Sequence, residues 1–202
     1  LSAATSTMDS FFELTGTRID SHFSLPKMLW IKDELPGLYR ETRWFLNAKD
    51  WLRGRLTGDF GLTDWSDASL TCCLDIHGRR WADGLLRELG LDPSRLPRLR
   101  AANELAGTLA PDAAAALGLP AGVPVATGGG DAACATRGAG LEGPGRAYVN
   151  LGSSAWISVL AEAPYDDPGH RIQNFYDLDG HSCNVCATVQ NASSAVDWTM
   201  AT

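Results

Sequence analysis

Residues 123–140 read VPVATGGGDAACATRGAG. The β-branched run VPVAT, bounded by Gly122 and Gly128, predicts a short buried strand, and the small residues after Asp131 predict a tightly packed helix. Three glycines stand between them. Glycine weakens a strand or helix interior by roughly 0.5–1 kcal/mol relative to alanine, so Gly128, Gly129 and Gly130 imply that something approaches the backbone closely. Asp131 then has two compatible readings. Aspartate is a preferred helix N-cap, and a carboxylate held at a helix start is also placed for chemistry.

Working outward, LEGPG at 141–145 is a turn rich in hinge residues, and RAYVNLGSSAWISVLAE reads as two strands around a Gly-Ser-Ser turn. HSCNVCATV predicts a further strand, and a helix begins near Ser193. Upstream, residues 25–35 form an amphipathic helix stopped by Pro36-Gly37, and Asn47 caps a helix AKDWLRGRL that ends at Thr57-Gly58. RWADGLLREL predicts a third helix ending at Gly90, and PDAAAALG a fourth with Gly118 as its stop. Helices followed by a strand, a helix and a hairpin describe an α/β protein with a boundary at 141–145.

The 202 residues are 45% hydrophobic and 20% charged, with a formal charge of -7. That balance speaks against a nucleic-acid or membrane-surface binder, since both need a basic face. It leaves room for a nucleotide, whose phosphates can be held by backbone N–H groups and a helix N-terminus. Five cysteines, two of them adjacent at Cys72 and Cys73, suit a reducing, cytoplasmic setting better than a disulfide framework. His181, Cys183 and Cys186 have metal-like spacing, but a zinc site draws on four ligands and no second cluster is present in the sequence. Buried strand residues are the better reading, and no metal site is expected. Asp64 and Asp67 in TDWSDAS read as loop-tying and capping groups, Trp65 and the other tryptophans as core. His22 and His77 read as surface or loop residues without a carboxylate or nucleophile close by in sequence.

Several stretches, in this order, carry a resemblance: FELTGTRID, PKMLWIKDELP, FLNAKDWLRGRLTG, TDWSDAS, GLPAGVPVATGGGD, then GDAACATRGAGLEGPG followed closely by YVNLGSS. Together they are similar to the FGGY carbohydrate kinases of the actin-like ATPase superfamily, closest to the xylulose-kinase branch. The resemblance implies an actin-like, ribonuclease H-like two-lobe α/β fold. Residues 1–142 would be the later part of the N-terminal, sugar-binding lobe, and 143–202 the start of the C-terminal, ATP-binding lobe. Asp131 matches the family's catalytic base, with Gly130 beside it at the substrate. Gly152, Ser153 and Ser154 match a phosphate-binding loop that usually reads Gly-Thr-Ser, and Gly138, Gly140, Gly143 and Gly145 fall where the lobes would pivot. ATP and Mg2+ are the implied cofactors and a small sugar the implied partner, with xylulose first and ribulose, gluconate and glycerol behind it. On that reading the triple glycine leaves room for the sugar and the transferring phosphoryl group.

Three family segments do not occur in this sequence: the Asp-x-Gly-Thr-type phosphate hairpin, the Met-His-Gly stretch and the Gly-Gly-Gly-Ala-type adenosine segment. The 202 residues therefore read as the middle of a kinase, expected to be inactive alone. A non-catalytic sugar or nucleotide sensor of the same fold stays open, as does the oligomeric state, a homodimer included. A dinucleotide-binding turn fits poorly. Ala133 stands where its third glycine belongs, and Asn150 and Leu151 occupy the place of its acidic residue.

Overall fold

The computed structural model describes residues 8–201. The first half runs α1 (Met8–Thr15), α2 (Ser24–Glu34), α3 (Pro36–Glu41), α4 (Ala48–Thr57), β1 (Leu62–Asp64), α5 (Trp65–Ser69), β2 (Leu74–Asp75), β3 (Arg80–Trp81) and α6 (Asp83–Glu88). It continues through β4 (Arg98–Arg100), β5 (Leu105–Thr108), α7 (Pro111–Leu117), β6 (Pro124–Ala126) and α8 (Asp131–Gly138). The remainder is β7 (Ala147–Leu151), β8 (Ala155–Ala161), β9 (Ile172–Tyr176), β10 (Cys183–Val189) and α9 (Ser193–Ala201). The mixture is the α/β class expected.

Local chemistry accounts for most of these boundaries. α4 follows Asn47 and ends at Gly58, which takes the left-handed φ of 84° that a β-carbon disfavours. The Asn47 side chain makes no cap bond, so its backbone alone marks the start. Pro36 stops α2, as the sequence suggested, and the chain goes straight into another helix. The proline sits at the first position of α3, where its missing N–H costs nothing. The third predicted helix is shorter than read, because Arg80 and Trp81 pair with Asp75 and Leu74 as a two-residue strand.

β1 and β4 pair in parallel, whereas β5–β6 and β2–β3 are antiparallel ribbons. The larger sheet is antiparallel in the order β7-β8-β10-β9. Its inner face, with Ser158, Leu160, Phe175, Asn184 and Cys186 all buried, packs on α5 and α8. The outer face carries Val149, Leu151, Ile157, Val159 and Val189, all exposed. The main core joins α1, α2 and α6 through Phe11, Leu25, Met28 and Leu86, closed by Cys72 and Cys73. Two expectations of burial fail. β6 is an exposed ribbon strand, not a buried one, because its neighbour is the short β5. Trp30, Trp51 and Trp198 are exposed, while Trp65 and Trp81 pack against the Leu74–Ile76 cluster.

The chain after the 141–145 turn folds back onto what precedes it. Asn174 donates from its backbone and its side chain to Gly16 O, both at 2.9 Å. The Tyr176 hydroxyl donates to Ile76 O at 2.5 Å, and Tyr176 N donates to the Ser69 hydroxyl at 3.1 Å. Arg137, on the last turn of α8, grips Asp177 and Asp179. Burial pushes the Asp177 carboxyl above its ordinary pKa, with Arg137 pulling the other way.

Candidate active site

The three glycines and Asp131 form the lead-in to α8. Gly130 is the N-cap residue, with extended φ and ψ of -62° and 149°, and Asp131 is the first helical residue. Asp131 is therefore not the cap that its residue type suggested. Its Oδ1 accepts the Ala132 N–H at 2.7 Å, and the carboxylate is exposed. It stands at a cavity of about 340 Å3 whose walls include Leu70, Trp156, Gln173, Phe175 and Thr188. The Trp156 indole N–H donates to the Tyr148 hydroxyl at 2.8 Å, which fixes the ring on the sheet.

The glycines have an internal reason that the sequence did not reveal. A β-carbon on Gly129 would lie 2.0 Å from Leu178 Cδ2, and one on Gly130 would lie 3.0 Å from Asp67 Oδ1. The space opposite these positions is thus filled by the protein itself, so close internal packing is one reason for glycine here. Gly128 takes a φ of 79° and lies against the stem of Lys49.

Beneath this turn lies a charged cluster. Lys49 Nζ donates to Asp50 Oδ1 at 2.8 Å, to Asp64 Oδ1 at 2.9 Å and to Gly128 O at 3.1 Å, with Asp67 Oδ2 at 3.4 Å. Burial works against the Lys49 charge, but Asp64 and Asp50 outweigh it and raise its pKa. Burial also pushes the Asp67 carboxyl up to about 6 against the pull of Lys49, and the neighbouring Asp64 and Asp50 add to the rise. Asp64 caps α5 as expected, accepting from Ser66 N at 2.8 Å and Asp67 N at 3.4 Å, and it also accepts from the Ser66 hydroxyl. The Ser66 oxygen in turn accepts the Gly130 N–H at 2.8 Å. Lys49 was not singled out in the sequence. The signal available was a lysine beside an aspartate at a helix start, which on its own is common.

The Gly152-Ser153-Ser154 segment is the tight turn between β7 and β8, whose last pair is Leu151 with Ala155. Gly152 N donates to Ser154 O at 2.8 Å, and the Gly152 and Ser153 carbonyls accept from Ser193 N and Ala192 N, at the start of α9. Ser153 is exposed with its carbonyl, not its hydroxyl, engaged by this contact. Trp156, two residues past Ser154, lines the same cavity as Asp131, whereas Gly152, Ser153 and Ser154 do not line it. Gly138, Gly140, Gly143 and Gly145 run from the last residue of α8 to the start of β7, and a β-carbon at any of them would meet nothing within 4 Å.

Other candidates resolve differently. Cys183 and Cys186 are buried on β10, three residues apart and so on opposite faces of the strand. His181 pairs with Arg79 instead, at 3.0 Å. His22 and His77 are exposed, but His22 does have a carboxylate close by, since its ring contacts Asp20. No helix among the described residues is long and apolar enough to cross a membrane. Among them there is also no group of three His, Cys, Asp or Glu side chains placed to hold a metal ion. The carboxylates beneath the turn, Asp50, Asp64 and Asp67, already share Lys49, so these residues do not fit a dedicated Mg2+ cage.

Residues 2–138 match the model of the FGGY family of carbohydrate kinases, N-terminal domain. The chain belongs to that family. It is 33% identical over 185 residues to a xylulose kinase from Escherichia coli (strain K12), covering 92% of this chain and 38% of that protein. An autoinducer-2 kinase from Yersinia enterocolitica is 34% identical over 146 residues, covering 72% of this chain and 27% of that one. Among solved structures, a xyloylose kinase from Brucella ovis superposes with a TM-score of 0.87 at 33% identity, over 94% of this chain and 39% of that one. The actin-like ATPase fold expected from the motifs is thus the fold of this FGGY chain, which spans well under half the length of the relatives it matches.

Proposed function

We propose that the whole protein to which this FGGY segment corresponds transfers the γ-phosphoryl group of ATP to a sugar hydroxyl, with Asp131 as general base. The observation that carries this is the placement of Asp131: an exposed carboxylate, fixed by its own helix start, at the edge of a cavity of about 340 Å3 shared with the sheet. As the sugar oxygen bonds to the γ-phosphorus, the bond from that phosphorus to the bridging oxygen breaks and ADP leaves. The hydroxyl proton passes to the Asp131 carboxylate. The Gly152-Ser153-Ser154 turn would meet a phosphate through the backbone N–H groups and hydroxyls of Ser153 and Ser154. Mg2+ would arrive with the nucleotide, held by phosphate oxygens and water, and no step is assigned to it.

Residues 1–142 would serve the sugar side and 143–202 the nucleotide side, closing about the segment from Gly138 to Gly145. The similarity to proteins named xylulose kinase supports xylulose as the first substrate, and that to an autoinducer-2 kinase supports testing other polyhydroxylated carbonyl compounds beside it. The 202 residues alone are expected to be inactive, because phosphoryl transfer draws on several loops at once. The test follows ADP release by the full-length protein with MgATP across pentuloses, polyols and sugar acids, beside Asp131→Asn. One sugar whose turnover falls roughly 10²–10⁴-fold in the variant supports the base. ATP binding with no sugar-dependent ADP would replace the kinase by a sensor.

A further inference from the structure

We infer that Lys49, Asp64 and Ser66 form a clamp that grips the 128–130 turn from both sides and so aims Asp131. The inference deepens the reading of Asp131 as base and rests on it. Lys49 Nζ takes the Gly128 carbonyl at 3.1 Å, and the Ser66 oxygen takes the Gly130 N–H at 2.8 Å. Asp64, fully buried, joins the two by accepting from Lys49 and from the Ser66 hydroxyl. The turn is therefore fixed at its first and third glycines by one hydrogen-bonded chain, and Leu178 fills the space opposite the second.

Capping alone does not account for this arrangement. Asp64 needs only the Ser66 and Asp67 amides to cap the five-residue α5. Yet the cluster also brings in an ammonium from α4, and its reach to Gly128 spans 79 residues of sequence. Gathering three carboxylates around one mostly buried lysine is a poor route to stability, since desolvation offsets most of the attraction. It is a good route to fixing backbone atoms, because the Lys49 ammonium and the Ser66 hydroxyl are each held by Asp64 while each binds the turn. The Gly130 N–H is buried and has the Ser66 oxygen as its acceptor, so the hydroxyl determines where the residue before Asp131 sits. Lys49, Asp64 and Ser66 are positioning residues, acting through the turn without touching substrate.

The test uses the full-length protein with two readouts: steady-state kinetics with MgATP and the best sugar, and hydrogen exchange in the peptide covering 127–134. Ser66→Ala removes the Gly130 acceptor without altering charge, and Ser66→Thr returns the hydroxyl. The expected result for Ser66→Ala is faster exchange in that peptide and a kcat lower by roughly 10–100-fold, the scale of a 1 Å misplacement, with KM within about twofold. Ser66→Thr should recover both. Asp131→Asn should lose turnover with exchange unchanged. Exchange in Ser66→Ala equal to wild type overturns the clamp, and so does faster exchange with kcat unchanged. A protein that releases no ADP with any sugar removes Asp131's role as base, and the clamp then stands or falls on the exchange alone. An unfolding midpoint measured for each variant separates local loosening from global loss of fold.

Discussion

Two glycine-rich stretches lie a few residues apart, and they hold glycine for opposite reasons. At 128–130 the backbone is crowded: Leu178, Ser66, Asp67 and the Lys49 stem occupy the positions where β-carbons would go. From Gly138 to Gly145 nothing stands within 4 Å of any such position, and Gly140 and Gly145 instead take φ values of 82° and 84°. The first stretch uses glycine chiefly for close approach, with a left-handed φ at Gly128 as well, and the second uses it for conformation at Gly140 and Gly145. A composition count treats them alike, but one is a fixed seat and the other a free connection.

The largest break in this contrast should come from Gly129→Val. Its β-carbon would fall 2.0 Å from Leu178 Cδ2, with Ala102 and Ser66 at 3.4 Å limiting any retreat. Overpacking of this kind costs about 1–3 kcal/mol, and urea unfolding should place this variant at the upper end. An unchanged midpoint would put the two stretches on the same footing.

Next comes Asp67, which touches the crowded turn without being part of it. Its carboxyl is raised from 3.8 to about 6, first by burial. Between those values the folded chain keeps a proton that the unfolded chain has released. The stability this group carries is full below pH 3.8 and is lost as pH rises through about 6. Asp67→Asn should lack that decline, so its stability relative to wild type should grow from pH 4.5 to pH 7 in paired urea titrations. A constant difference would show that the turn does not hold Asp67 away from water.

The smallest effects belong to the open stretch and sharpen it from within. Gly140→Ala forces a β-carbon into left-handed backbone, at roughly 1–2 kcal/mol. Gly143→Ala meets neither obstruction nor positive φ and should shift stability by less than about 0.5 kcal/mol. Equal thermal shifts in the two variants would remove conformation as the reason for glycine at 140.

Much of this was legible along the chain. The helices ending at Gly58 and Gly118, the strand-glycine-helix order around Asp131 and the hairpin at 147–161 follow from local turn and periodicity signals. The misreadings were matters of partnership. Arg80 and Trp81 fit a helical period, yet they extend because Leu74 and Asp75 offer a ladder. Trp51 read as core with the other tryptophans, but α4 buries Asp50, Arg53 and Gly54 while Trp51 and Leu52 stay exposed, because the charge cluster under the turn lies on its inner side. In the same way, the ordered motifs led to Asp131 but not to its supports. Lys49 and Ser66 reach the turn across 79 and 64 residues, and no local pattern encodes such a meeting.

The four-stranded sheet bears on how any of these stabilities is read. β7 forms one border of the sheet, carries no charged side chain, and displays Val149 and Leu151 at 59% and 77% exposure. Uncharged sheet borders with an apolar stripe are, as a class, prone to pairing with another strand. Self-association shifts an unfolding midpoint by mass action, without any change in the chain itself. Free energies for this segment therefore acquire meaning only in the dilute regime, where the midpoint stops moving with concentration.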